Sequence, residues 1–208
     1  MAQLIADRRD VDFVLYEQFE VETLCQDERY SDFDRPTIDL IIDEGRNLAL
    51  KEILPTLGAG DREGILFADG KVTLPACFQR AYRLYRQGEW IAMTAASEFG
   101  GQGLPCLVAQ AVSDYQLGAN SAFMLFGWGG FGAGEMIEIF GTAEQRRLFL
   151  GKMYAGQWGG TMVLTESEAK RPEPFSRRRP PAGGVLGGAR WLQAWGVDRI
   201  VVGHAHPR

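Results

Sequence analysis

Cysteine and histidine are scarce in this chain, with three Cys and two His among 208 residues. Cys25, Cys77 and Cys106 are odd in number, widely spaced and never paired as CxxC. That excludes a disulfide frame and a zinc site, and reads as reduced thiols in a cytoplasmic protein. No apolar run approaches the ~20 residues that cross a bilayer. The opening MAQLIADRRDVDF follows a short apolar stretch with Arg8, Arg9 and Asp10, which is not a signal-peptide pattern. What is present, 46% hydrophobic and 24% charged residues, suits one or two globular domains and excludes an intrinsically disordered chain.

The formal charge of −5 averages two unlike pieces. Residues 1–169 hold 14 basic and 25 acidic residues, a net −11, whereas residues 170–208 hold 8 basic and 2 acidic, a net +6. The second piece also holds both histidines and five of the nine prolines. Such asymmetry ordinarily marks a basic tail for nucleic acid or membrane. The tail's own residues do not carry that reading. Arg177-Arg178-Arg179 lacks interleaved aromatics and reads as a solvated arginine run; His204-x-His206 lacks a third ligand and reads as incidental. Ala189–Trp195 and Ile200-Val201-Val202 have the pattern of a short helix and a strand, with no site.

The first 155 residues have a helical pattern. From Thr37, the residues Ile38, Ile41, Ile42, Leu48 and Ala49 fall on one helical face and Asp39, Asp43, Glu44 and Arg46 on the other, with Pro36 near the start and Pro55 and Gly58 as the stop. The segment DREGILFADGKVTLP places Asp69-Gly70 between short apolar runs, the signature of a small hairpin. Pro75 opens a helix with Phe78, Ala81, Tyr82 and Tyr85 on one face. Glu98 to Pro105, EFGGQGLP, is a glycine-rich connector. Without the Lys-Ser/Thr of a P-loop or a preceding strand, its GGxG reads as a structural turn before a phosphate contact.

A helix follows over about 105–118, then an apolar one from Asn120 to Phe140 rich in glycine. Glycine costs about 1 kcal/mol relative to Ala inside a helix. Five of them, Gly127, Gly129, Gly130, Gly132 and Gly134, therefore imply close packing or space left for a ligand, with packing preferred on the residues alone. Thr142-Ala143-Glu144-Gln145 forms a capping box for a helix to about Tyr154. At Gln157 the period changes, and Trp158 to Glu166 reads as a strand. A helical domain over residues 1–156 thus hands over to the beginning of a β-domain over 157–169.

These features, taken in order, resemble the acyl-CoA dehydrogenase family: the connector Phe99–Pro105, the small-residue helix, the helix ending Leu150-Gly151-Lys152-Met153 and the strand GTMVLTE. The opening RDVDFVLYE resembles the longer branch that includes 3-methylmercaptopropionyl-CoA dehydrogenases. The resemblance covers about residues 4–169. It implies a mainly α fold, with a family-like N-terminal helical domain, the first strand of a β-domain and then an irregular tail. It also implies an FAD-dependent α,β-dehydrogenation of an acyl-CoA thioester, with an electron acceptor such as an electron-transfer flavoprotein and a homo-oligomeric assembly.

By the same resemblance, Val163, Leu164 and Thr165 bond the polar edge of the flavin; a threonine hydroxyl suits that edge because it both donates and accepts. Met124, Leu125, Trp128, Gly129 and Gly132 face the acyl chain, which turns the glycine-rich helix from packing into pocket wall. The match fails after Ala169, where the family continues with Gly-Ser-Asp and this chain reads Lys170-Arg171-Pro172. Residues 170–208, with RRRPPAGGVLGGAR, have the composition of GC-rich DNA read out of frame, and are expected to be frameshifted or otherwise unrelated to the family. The coding DNA decides this: if no other frame near codon 169 continues with Gly-Ser-Asp, the expectation fails. Glu98, Glu135 and Glu166 are the carboxylates near the pocket elements, yet none matches the family's base, so no catalytic residue is assigned. The alternative to a dehydrogenase fragment is a non-catalytic product or an acyl-binding helical module without turnover.

Overall fold

The structure is a computed structural model that describes Ile5, residues 7–161 and residues 199–202. Two short segments open it, helix α1 (Arg8–Asp12) and a string of π and 3-10 turns from Phe13 to Tyr30. They lie against α2 (Arg35–Leu48), where Arg8 fans its guanidinium onto Asp12 at 2.7 Å, Asp39 at 2.5 Å and Asp43. Tyr16 donates to Asp39 at 2.9 Å, and Arg35 lies 4.1 Å over the Tyr16 ring. Each of these part-exposed contacts contributes only a few tenths of a kcal/mol. The anchor is apolar, because Leu15 and Val21 are buried in the main core.

Helix α2 begins where Asp34 accepts from the Thr37 amide, with a proline in the first turn, and buries the expected face through Ile38 and Ile42. It loosens into a π turn at Ala49–Ile53. Pro55 then caps a further helix, α3 (Thr56–Glu63), so the expected stop at Pro55 and Gly58 is instead a helix start. Glycines at 58 and 60 hide α3 from propensity. Gly60 is needed there because a Cβ would come within 2.5 Å of the Phe78 ring.

The expected hairpin forms from β1 (Leu66–Ala68) and β2 (Lys71–Thr73), antiparallel, with Phe67 opposite Val72. Asp69 and Gly70 turn it at φ 50° and 71°, the two left-handed positions of a type I′ turn. Helix α4 (Ala76–Gln87) buries Phe78, Ala81, Tyr82 and Tyr85, the four residues its pattern predicts. The Phe78, Tyr82 and Tyr85 rings meet Phe123 edge-on at 5.7 to 6.2 Å.

The 35-residue helix α5 (Cys106–Phe140) runs through the centre of the molecule. Its backbone leaves helical geometry at Asn120, φ −163° and ψ 94°, the point where the sequence divides the two expected helices. Asn120 is buried and mends the break from its side chain: its Oδ1 accepts from the Phe123 amide at 3.1 Å while its Nδ2 donates to Thr56 Oγ1 at 2.9 Å. A buried amide without such partners would cost about 1–3 kcal/mol. Helix α6 (Ala143–Tyr154) opens with the reciprocal capping box of Thr142 and Gln145. Strand β3 (Trp158–Thr161) follows. It pairs in parallel with β4 (Arg199–Val202), so the strand pattern at Ile200-Val201-Val202 is realised beside the last described residues of the main body. The three cysteines are free. Among the described residues no helix is long and apolar enough to cross a membrane.

Candidate functional site

The distal half of α5 carries two opposed faces. On one, Phe123, Met124 and Phe126 join the main core. On the other, Leu125, Trp128, Gly132, Glu135 and Ile139 recur at helical spacing, with Leu125 61%, Trp128 44% and Ile139 59% exposed. A Cβ at Gly132 would meet nothing within 4 Å, so this face has a gap between its large side chains. Of the residues expected to face an acyl chain, Leu125, Trp128 and Gly132 share this open face. Met124 does not: it is 1% exposed and belongs to the core.

Gly129 stands at the edge between the two faces, against β3. A Cβ built on it would come 2.3 Å from the Gly160 carbonyl oxygen, and one on Gly160 would come 2.3 Å from the Gly129 oxygen. Helix and strand therefore meet backbone to backbone. Gly130 continues the contact towards Trp158 and Gly159, while Gly127 and Gly134 accept the rings of Tyr85 and Tyr154. Four of the five helix glycines thus serve packing, and Gly132 alone is open. The residues expected at the flavin edge, Val163, Leu164 and Thr165, lie outside the described residues.

The connector is held by its own chain. The amides of Gly101, Gln102, Gly103 and Leu104 donate to carbonyls of Ala96, Ala92, Ala95 and Met93 at 2.8 to 3.2 Å. Gly103 sits at φ 65°, where a side chain would be strained. Because these amides are spent internally, the loop has the structural role its pattern suggests, with no free amide cradle for phosphate.

A residue that no sequence pattern singles out locks this corner. Glu138, half-buried, accepts from the Tyr154 hydroxyl and from the Ala96 amide at 3.4 Å, joining α5 to α6 and to the connector. Burial, then the bond to Glu138, push the Tyr154 phenol well above its usual range. Its signal is faint: a carboxylate one helical turn after Gly134, inside an apolar run. Glu98 and Glu135 are exposed, and Glu166 lies outside the described residues.

Residues 36–157 match the family model described as acyl-CoA dehydrogenase, N-terminal domain. The chain is 32% identical over 143 residues to 3-methylmercaptopropionyl-CoA dehydrogenase of Ruegeria pomeroyi, covering 67% of this chain and 24% of that relative. It is 30% identical over 172 residues to the broad-specificity linear acyl-CoA dehydrogenase FadE5 of Mycobacterium tuberculosis, 81% of this chain and 28% of the relative. A butyryl-CoA dehydrogenase of Syntrophomonas wolfei is 27% identical over 165 residues, 77% of this chain and 27% of its own. The chain therefore spans about a quarter of the length of the curated relatives it matches. By this match, which runs from α2 through α6, the chain belongs to the acyl-CoA dehydrogenase family, through the family's N-terminal domain.

Proposed function

We propose that this chain supplies the acyl-facing helical wall of an FAD-dependent acyl-CoA dehydrogenase, and that alone it binds FAD weakly or not at all and does not turn over substrate. The observation that carries the reading is the open face of α5. Leu125 and Trp128 stand on the N-terminal side of the open position at Gly132, and the Gly129–Gly160 contact sets that face beside β3. An acyl chain needs an apolar wall that excludes water near the reacting carbons, and an exposed leucine and tryptophan around a vacant Cβ position have that chemistry.

FAD, when bound, accepts the hydride that leaves the substrate. Val163, Leu164 and Thr165 are the residues proposed for its edge, through backbone groups and the Thr165 hydroxyl. The described residues fit the acyl part of this chemistry better than the flavin part. They offer an apolar face, but the connector amides are already bonded and Glu98 and Glu135 stand in solvent, so no carboxylate is placed as a base. The acyl-CoA substrate, the electron acceptor and a homo-oligomeric assembly belong to the proposed whole enzyme.

The test uses the 208-residue chain. Titration with FAD should give no saturable flavin band on the protein after gel filtration. Acyl-CoA with an artificial electron acceptor should give no acceptor reduction, and measurable turnover overturns the proposal. Acyl-CoAs of graded length should change the tryptophan emission of the wild type and not of Trp128→Phe; an equal change in both removes the α5 face from the site.

A further inference from the structure

The end of α4 holds a feature unrelated to the acyl face. Three arginines, Arg80, Arg83 and Arg86, follow one another at helical spacing in a segment with no acidic residue. Arg80 is neutralised by Glu52, which accepts from its Nε at 2.8 Å and its second terminal nitrogen at 3.0 Å. Arg83 and Arg86 have no carboxylate partner among the described residues. Both line a cleft of about 310 Å³, completed by Gln87, Ala155 and Gln157 from the helix end and the α6–β3 turn.

Arg86 is held in place. Its Nε donates to the Ala155 carbonyl at 3.0 Å, and its stem packs on Gly156, where a Cβ would come 2.9 Å from Cγ and 3.1 Å from Cδ. Gly156 needs to be glycine on both counts, with φ at 65°. Fixing Nε leaves the terminal guanidinium nitrogens as the donors that remain, beside a second arginine and two carboxamides. Like charges at i and i+3 repel, and an oxyanion between them removes the repulsion while accepting from both forks.

We propose that this cleft binds a phosphate group, held by Arg83 and Arg86 with Gln87 and Gln157 at its rim. The planar arginine fork matches phosphate oxygens in a paired geometry, which a chloride ion cannot use. The ligand is either free inorganic phosphate or the phosphate end of a nucleotide-bearing molecule.

The experiment is an NMR titration of the full chain with inorganic phosphate, against sodium chloride at matched ionic strength. Amides of Arg83, Arg86, Gln87, Ala155, Gly156 and Gln157 should shift saturably with phosphate and not with chloride. Arg83→Gln, which touches no backbone carbonyl, should weaken the apparent affinity about tenfold, the size of one charged hydrogen bond. Arg86→Gln should do so at least equally, with circular dichroism verifying the fold, and Arg80→Gln should leave the affinity within twofold. Adenosine 3′,5′-bisphosphate serves as the second arm: tighter binding than phosphate assigns the site to a nucleotide tail, and equal binding assigns it to the free ion. Shifts that chloride reproduces, or an affinity that Arg83→Gln leaves unchanged, overturn the proposal.

Discussion

The two halves of α5 use one helix in opposite ways. Before Asn120, the helix is held by side chains: Val108, Val112 and Tyr115 are buried, and Gly45 of α2 gives Val112 its room. After Asn120, Phe123, Met124 and Phe126 still enter the core, but the helix also packs through positions without side chains, where four of its five glycines each meet a different neighbour. Gly127 lies under Tyr85, Gly129 on Gly160, and Gly134 under Tyr154, while Gly132 meets nothing. In the first half an added or lost methyl meets side chains, which can shift in part. At Gly129 the second half places backbone against backbone, which cannot.

Substitutions separate these modes, and the largest effect belongs to the backbone contact. Gly129→Ala forces a Cβ to 2.3 Å from the Gly160 oxygen and should destabilise by about 3 kcal/mol in urea unfolding. In the first half, Val112→Ala, at a fully buried position, should cost about 2 kcal/mol by the same measurement. Losing the cap through Thr142→Ala should cost about 1 kcal/mol, read as a lower midpoint. Gly132→Ala, three residues after Gly129 but facing open space, should stabilise by about 0.5–1 kcal/mol through helix propensity alone. If Gly129→Ala and Gly132→Ala behave alike, the contrast between packed and open glycines is wrong.

Alkaline pH tests the same core from its phenols. Burial pushes Tyr82 up to about 12 and raises Tyr85 further, and burial likewise raises Tyr115 and Tyr154. A raised folded-state value means the native protein holds protons that the unfolded chain releases near pH 10. The stability is fully present below about pH 10 and falls as the pH rises through about 12. The tyrosinate absorbance that these four buried phenols contribute should therefore rise together with loss of helical dichroism, rather than ahead of it.

Much of the helical frame was legible because its signals are local. The α2 and α4 faces, the Asp69-Gly70 turn, the capping box and the break at Asn120 each lie within a few neighbouring residues. Helix α3 was not legible, since Gly58 and Gly60 lower its propensity and the Phe78 ring that requires Gly60 lies elsewhere in the chain. The candidate site was legible in part. The face bearing Leu125, Trp128 and Gly132 follows from helical spacing, but the inward turn of Met124 does not, because a stripe of neighbouring positions wraps past the edge of one face.

Period, caps and turn chemistry are properties of short segments, so the residues alone place most helices and carry the resemblance to a dehydrogenase family. The sequence also sets the glycine content of α5. What each glycine is for was decided only by tertiary structure. A missing Cβ looks the same at every position in a sequence, and only the neighbour brought there by the fold distinguishes a backbone contact at Gly129 from an open gap at Gly132.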